Sequence, residues 1–456
     1  VSDAPEHEQE GDSPAVRRRA VLFVGSGLAV GALGAWVVRR SVAGGEAPEP
    51  AGSGPVRIPE ATRTVTGTAE ATGTSTVTID LAKPSGGTMP LPAMSGDLLL
   101  LVAGDGTVKA VSPGNGGLRW TFESHKVITD APVTHGDTVY VSLAARDFDD
   151  ETGALVALDR DGRQKWLFRT VGWVSVPAVV QEGVAYVGTF GDSDGQFASN
   201  GRVYAIRDGR QVWQATVQGQ VTAVVPAGNR LLVAANGGRR DGEEIPASVT
   251  ALDRRTGRAI WNSGYFADIR SVDEIDAGIL VRVEGRSGAP STIDLLRRRD
   301  GEILWSGQFP LISEDSGLYG PDRLVLALAE ELVVLDPAPG RRVWTYPFGR
   351  KAVGVKMCGD ESLLVVQGEA VGMLGISPRT GEKLWQTDDA DSSQRVEFAG
   401  SHLVTALRGR LEIRDQADGT VLRSETLDED VAQLTVLGDL VVARTLERAH
   451  VRSARA

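Results

Sequence analysis

In residues 249–261, Val-Thr-Ala-Leu-Asp-Arg-Arg-Thr-Gly-Arg-Ala-Ile-Trp, hydrophobic and polar positions alternate up to Asp253 and resume after Gly257. Period-two alternation broken by a short polar stretch predicts a β-hairpin with a four-residue connection. Aspartate suits the entrance of such a turn because its carboxylate accepts backbone N–H bonds, and glycine suits the position where φ turns positive. Further strand-like runs precede each hairpin, for example 174–180 and 184–188. Four short strands per unit is the content of a propeller blade.

The unit recurs. A tryptophan stands four residues after a glycine in Gly116/Trp120, Gly162/Trp166, Gly209/Trp213, Gly257/Trp261, Gly301/Trp305, Gly340/Trp344 and Gly381/Trp385, while an eighth copy keeps Gly419 and carries Arg423. The glycines are 46, 47, 48, 44, 39, 41 and 38 residues apart, the period of a repeat array. A four-stranded sheet cannot bury both faces alone, so blades must stack, and a large side chain at a fixed place in each can wedge into its neighbour. Arg423 predicts a weaker wedge near the ring's closure.

Residues 20–38 depart from this pattern: they are apolar on all sides and long enough to cross a bilayer as a helix. Arg17, Arg18 and Arg19 precede them, Arg39 and Arg40 follow, and an acidic tail with Asp3, Glu6, Glu8, Glu10 and Asp12 lies in front. Two readings are open. In one the segment is a signal-anchor helix with Trp36 at the interface. In the other it is a cleaved export signal, with a twin-arginine-like start at Arg18-Arg19 and a cleavage site near Ser41-Val42-Ala43. Both place the repeats outside the cytoplasm. The expected organisation is a disordered acidic tail at 1–19, the helix at 20–38, a flexible Gly/Ala/Pro/Ser/Thr linker at 39–74 and a propeller at 75–456.

Composition narrows the partners. A formal charge of −12 without a basic stripe excludes a nucleic-acid partner, because phosphate neutralisation needs a positive surface. Cys358 is the one cysteine, so no intramolecular disulfide forms and no disulfide-linked partner is expected. Beside the run 353–357 it reads as a buried small hydrophobe. The histidines, His7, His125, His135, His402 and His450, have no metal-like spacing.

The hairpin resembles the pyrroloquinoline-quinone-type (PQQ-like) repeat, Ala-x-Asp-x-x-Thr-Gly-x-x-x-Trp, which Ala251, Asp253, Thr256, Gly257 and Trp261 match at every position. Ala157, Asp159, Gly162 and Trp166 match in part, as do Asp336, Gly340 and Trp344, and Thr380, Gly381 and Trp385. The Trp-Asp pair of WD40 blades is absent. The resemblance implies an all-β propeller, usually eight-bladed, in which the tryptophan docks blade against blade. Eight hairpins agree with eight blades. Strand-like runs at 76–81, 431–437, 440–445 and 449–453 are left over; a terminal segment completing a blade begun by the other end would close the ring, and a literal count would give nine.

Some members of the family are quinone- and calcium-dependent dehydrogenases, several with a disulfide between adjacent cysteines over the cofactor. With Cys358 alone that disulfide is impossible, so neither catalytic residues nor a cofactor are expected. The resemblance is stronger to the non-enzymatic, BamB-like members, which act as scaffolds. The expected function is therefore a non-catalytic binding module for a protein, peptide or envelope ligand, tethered to the membrane through 20–38. A quinoprotein dehydrogenase and the sensor ectodomain of an envelope signalling system are the alternatives.

A recognition surface is expected on the enlarged connections between second and third strands of blades two, three and four, at 145–152, 189–200 and 236–246. Such connections share one rim, which would carry Asp147, Phe148, Asp149, Asp150, Phe190, Asp192, Asp194, Phe197, Arg239, Arg240 and Glu243. The aspartates offer oxygen donors of the kind calcium takes but lack EF-hand spacing, and no metal site is assigned.

Overall fold

Strand alternation gives every sheet two apolar faces, and the chain covers both by setting each sheet between two others. The computed structural model describes residues 76–83, 89–144, 152–190, 200–240, 243–285, 289–369, 371–388 and 394–454. Among them the strands form nine antiparallel four-stranded blades, the first eight meandering in chain order, with the inner strand of blade two split into Val127–Ile128 and Val133–His135. First strands of successive blades touch, as in Lys356–Gly359 with Arg395–Ala399 and the latter with Gln433–Leu437, which places them at the inner edge.

The core is not one mass but nine clusters, each joining a blade to the next. Trp261, Val249 and Ala251 of blade four, for example, pack on Ile269, Val272, Ile279 and Val281 of blade five. Ile79, Val442, Ala449 and Val451 of the last blade pack on Leu99, Leu101 and Val111 of the first and so close the ring.

The ring has nine blades where hairpin counting predicts eight. The ninth consists of Gln433–Leu437, Leu440–Arg444 and Arg448–Ser453, and its outer strand is the N-terminal Val77–Asp80, paired antiparallel with 448–451. Because two ends of the chain share that outer pair, no Gly-x-x-x-Trp hairpin marks it. The tail 1–19, helix 20–38 and linker 39–74 lie outside the described residues; among the described residues no helix is long and apolar enough to cross a membrane.

Each indole lies on the turn glycine of the following blade: Trp120 on Gly162, Trp166 on Gly209, Trp213 on Gly257, Trp261 on Gly301, Trp305 on Gly340, Trp344 on Gly381 and Trp385 on Gly419. At Gly257 φ is +71°, and a Cβ there would stand 2.5 Å from Trp213 Cε3, so glycine serves both the turn and the indole above it. Indole N–H groups donate to turn carbonyls of the next blade, Trp120 to Arg160, Trp213 to Arg254, Trp261 to Arg298, Trp305 to Pro337, Trp344 to Pro378 and Trp385 to Gln416, at 2.8–3.0 Å. The turn itself is fixed by Asp253, whose Oδ1 accepts from Thr256 N and Oγ1 at 2.8 and 2.7 Å.

A β-bulge precedes the tryptophan position in every one of the eight hairpins. Ala251 pairs with Trp261 and Leu252 with Ala259, leaving Ile260 as the extra residue; Arg119, Lys165, Val212, Leu304, Val343, Leu384 and Leu422 hold the same place. A bulge increases local twist and re-aims the side chain that follows. In blades three to eight the extra residue is apolar and 43–49% exposed, so these outer edges carry a broken hydrophobic belt.

Closure is built differently. Gly116 of blade one meets Val77 of the N-terminal strand instead of an indole. Between blades eight and nine, where Arg423 stands at the tryptophan position, Glu425 accepts from Thr76 Oγ1 at 2.7 Å and from Arg452 Nη1 at 2.7 Å. Thr78 Oγ1 lies 3.2 Å from His450 Nδ1 beside them. A polar clamp thus joins the two chain ends.

Candidate functional site

Two regions of the ring carry side chains that blade packing does not consume. The first is the rim of blades two to four. The enlarged connections join second to third strands there, after Thr138–Ala144, Val184–Gly188 and Arg230–Asn236. Of the residues predicted to form a recognition surface, Asp147, Phe148, Asp149, Asp150, Asp192, Asp194 and Phe197 lie outside the described residues. Phe190 is half-buried at the start of its connection. Arg239, Arg240 and Glu243 fall in a small separate hairpin, Gly238–Arg240 with Glu243–Ile245, in which Arg240 pairs with Glu243.

The base of this rim is tied by backbone hydrogen bonds. Phe190 N donates to Trp173 O at 2.9 Å, and the two rings lie 6.4 Å apart in a tilted pair. Val174 bridges Thr189, and Val221 N reaches Thr189 O, tying blade three to blade four. At Gly172, with φ +78°, a Cβ would come within 2.0 Å of Phe190 O, so that position admits only glycine. Asn236 Oδ1 accepts from Ile269 N at 2.8 Å and anchors the third connection on blade five. Trp173 escapes sequence reading because it is out of register with the Gly-x-x-x-Trp repeat. That misplacement is itself the available signal: it is the one propeller tryptophan without a wedge position.

The second region is a cleft of about 290 Å³ at the inner edge of blades seven and eight. Lys356, Met357, Cys358, Val365 and Gln367 of blade seven line it with Gln394, Arg395, Val396 and Glu397 of blade eight; Asp315 ahead of blade six and Leu434 of blade nine complete it. Asp315 Oδ2 accepts from Met357 N at 3.0 Å, which joins the blade-six segment to blade seven. Gln367 Nε2 donates to Gln394 O at 2.6 Å, leaving Gln367 Oε1 without a partner at 3% exposure; Gln394 Oε1 is likewise unpartnered at 2%.

Burial pushes the Glu397 carboxyl above its ordinary range. Cys358, expected to be a buried small hydrophobe, is half-buried: it packs with Val396 and Phe398 against Leu363, Val365 and Met373 and also lines the cleft. Burial, with the Glu397 and Asp315 carboxylates, pushes its thiol well up, so it remains protonated and a poor nucleophile. No histidine lines the cleft, and among the described residues no group of three or more His, Cys, Asp or Glu could hold a metal ion. Lys356, Arg395, Gln367, Gln394 and the two carboxyls give its lining hydrogen-bonding and ion-pairing groups. Gln367 carries a faint sequence signal, a polar residue closing the apolar run 363–366, whereas Gln394, between Ser393 and Arg395, carries none.

The chain is similar to known proteins. The chain is 26% identical over 361 residues to the outer membrane protein assembly factor BamB of Burkholderia pseudomallei (strain K96243), covering 74% of this chain and 85% of that protein. Among solved structures, BamB from Moraxella catarrhalis aligns with a TM-score of 0.46 at 14% identity, over 86% of this chain and 100% of the other. The quinohemoprotein alcohol dehydrogenase from Comamonas testosteroni aligns with a TM-score of 0.49 at 12% identity, over 83% and 76%. The family model described as outer membrane protein assembly factor BamB matches residues 61–172, 170–275 and 289–451, most of the ring, and the chain belongs to that family of PQQ-like repeat propellers.

Proposed function

We propose that this protein is a non-catalytic scaffold of the bacterial cell envelope that binds a polypeptide partner at the rim of blades two to four. The observation that carries the reading is the Trp173–Phe190 pair, set on a hydrogen-bonded base where three consecutive blades have enlarged connections. Half-buried aromatics on a fixed backbone supply contact area with little ordering cost, as binding hot spots do. Membership of a family named for an assembly factor favours the same reading. In this proposal residues 20–38 hold the propeller to a membrane, or direct its export, and the ring stands outside the cytoplasm. The inner cleft favours binding over catalysis, since its thiol stays protonated and no basic imidazole lies in it.

The test is a crosslinked pull-down from membranes with the full chain and with Trp173→Ala/Phe190→Ala. The double variant is expected to lose partners that the parent retains. Trimming all three connections without losing a partner would sink the proposal.

A further inference from the structure

We infer that the outer turns joining third to fourth strands in blades three to seven form a docking surface for an anionic lipid membrane. These turns lie on the face opposite the enlarged connections of blades two to four, so a docked ring keeps its partner site open. The two proposals rest on different residues, and either can fail without the other.

Topology sorts the charge. Antiparallel neighbours alternate in direction, so turns from third to fourth strand emerge away from connections between second and third. Residues 207–210, 253–259, 297–302, 336–342 and 377–383 carry twelve Lys and Arg against six Asp and Glu, in a chain of net charge −12. Because the arginines return blade by blade, no basic stripe shows in the sequence. Arg207, Arg210, Arg255, Arg258, Arg341 and Arg379 are exposed. Among the described residues, Arg210, Arg258, Arg341 and Arg379 make no ion pair or side-chain hydrogen bond. The inner turns of these blades are acidic, at Glu182, Asp276, Asp322, Asp360 and Glu361, but Arg254 pairs with Glu182 at 2.9 Å and Arg323 with Asp322 at 2.7 Å. Cations stay in excess on this face, and the excess sits at its outer rim.

The bulges add the apolar component. Beside each of these turns an aliphatic side chain, Val212, Ile260, Leu304, Val343 or Leu384, is 43–49% exposed, while the indole that follows is consumed by blade docking. Aliphatic groups interleaved with cations are what an anionic lipid interface binds, the first entering the acyl boundary and the second meeting the headgroups. A single-stranded nucleic acid would instead call for stacking aromatics, and none of the large hydrophobic side chains exposed on these turns is aromatic. The chain also arrives from this side. Val77, at the start of the closing strand, lies on Gly116 in the corresponding turn of blade one, so the residues ahead of it, with the apolar segment 20–38 among them, join the ring at the turn face.

A fluorophore on the full chain tests the inference, attached through Ala259→Cys between Arg258 and Ile260, or through Val353→Cys on the opposite face as control. Vesicles of phosphatidylcholine, alone or mixed with phosphatidylglycerol, carry a brominated lipid as quencher, and the neutral vesicles report what residues 20–38 do by themselves. The label at 259 is expected to be quenched by the anionic vesicles and not the neutral ones, and the label at 353 by neither. Arg210→Glu/Arg258→Glu/Arg341→Glu and Ile260→Ser/Leu304→Ser/Leu384→Ser are each expected to lower the docked-to-free ratio about tenfold or more, with circular dichroism and Tm showing the ring intact. Added salt should lower it too. The two sets alter different side chains, so a folding defect in one leaves the other informative. No quenching at 259 by anionic vesicles, equal quenching by neutral ones, equal quenching at 353, or an unchanged ratio in a folded variant would overturn the inference. So would a change at 259 that grows with protein concentration without lipid, the mark of a second copy seated on the turns.

Discussion

Trp261→Ala removes a wedge whose direction is known. The indole is 8% exposed, lies on Gly301 and packs with Ile269, Val272 and Val281, all of blade five. Truncating a buried tryptophan costs about 3–5 kcal/mol through lost transfer free energy and the cavity left behind. Of this, about 1 kcal/mol belongs to the indole N–H bond to Arg298 O, because that carbonyl keeps a second donor in the Arg230 guanidinium. Trp261→Phe should therefore cost less than the alanine variant. A nine-bladed ring need not unfold in one step, so global denaturation is the weaker assay; amide hydrogen exchange reports each interface separately. A loss of about 4 kcal/mol corresponds to roughly a thousandfold faster exchange. It should appear at Arg297 and Gly301, whose amides hold the blade-five turn, and not in blade three. Unchanged protection at that turn, or equal loss on both sides of blade four, would refute the wedge account.

Three other outcomes follow from single groups. Asp130, whose carboxyl burial raises from 3.8 to about 6, is neutral in both folded and unfolded chains below pH 3.8, and stability falls as pH rises to about 6 because only the unfolded chain ionises freely. Asp130→Asn should remove that decline, worth up to about 3 kcal/mol at pH 8 and nothing at pH 3, measured as Tm against pH. The thiol of Cys358 should resist iodoacetamide at pH 8 in the native ring and react on unfolding, since burial and two carboxylates keep it protonated. Glu425→Ala should leave the buried Arg452 guanidinium unpaired and Thr76 without its acceptor, at a cost of about 3 kcal/mol, with exchange rising first in the closing strand Val77–Asp80.

Much of the fold is legible from particular residues because packing repeats. Asp253, Gly257 and Trp261 each answer a local demand of turn or interface, and the demand returns in blade after blade. What the repeat cannot show is where it is broken. The ninth blade borrows its outer strand from the N-terminus, so Val77 replaces an indole and no hairpin marks the unit. The bulges at Ile260 and its counterparts are invisible without the partner strand's register. The cleft gathers Asp315, Gln367, Glu397 and Leu434, far apart in sequence, because the inner ends of blades six to nine meet around a closed ring. At the rim, sequence places the enlarged connections on successive blades, but only the fold sets Trp173 against Phe190.

Photo-crosslinking from position 190 in intact cells tests the scaffold proposal most directly, with Val353, exposed on the connection between blades six and seven, as control. A crosslinkable residue in place of Phe190 should form a discrete polypeptide adduct that the Val353 substitution does not. No adduct at 190, or the same adduct from 353, would contradict a partner seated on blades two to four.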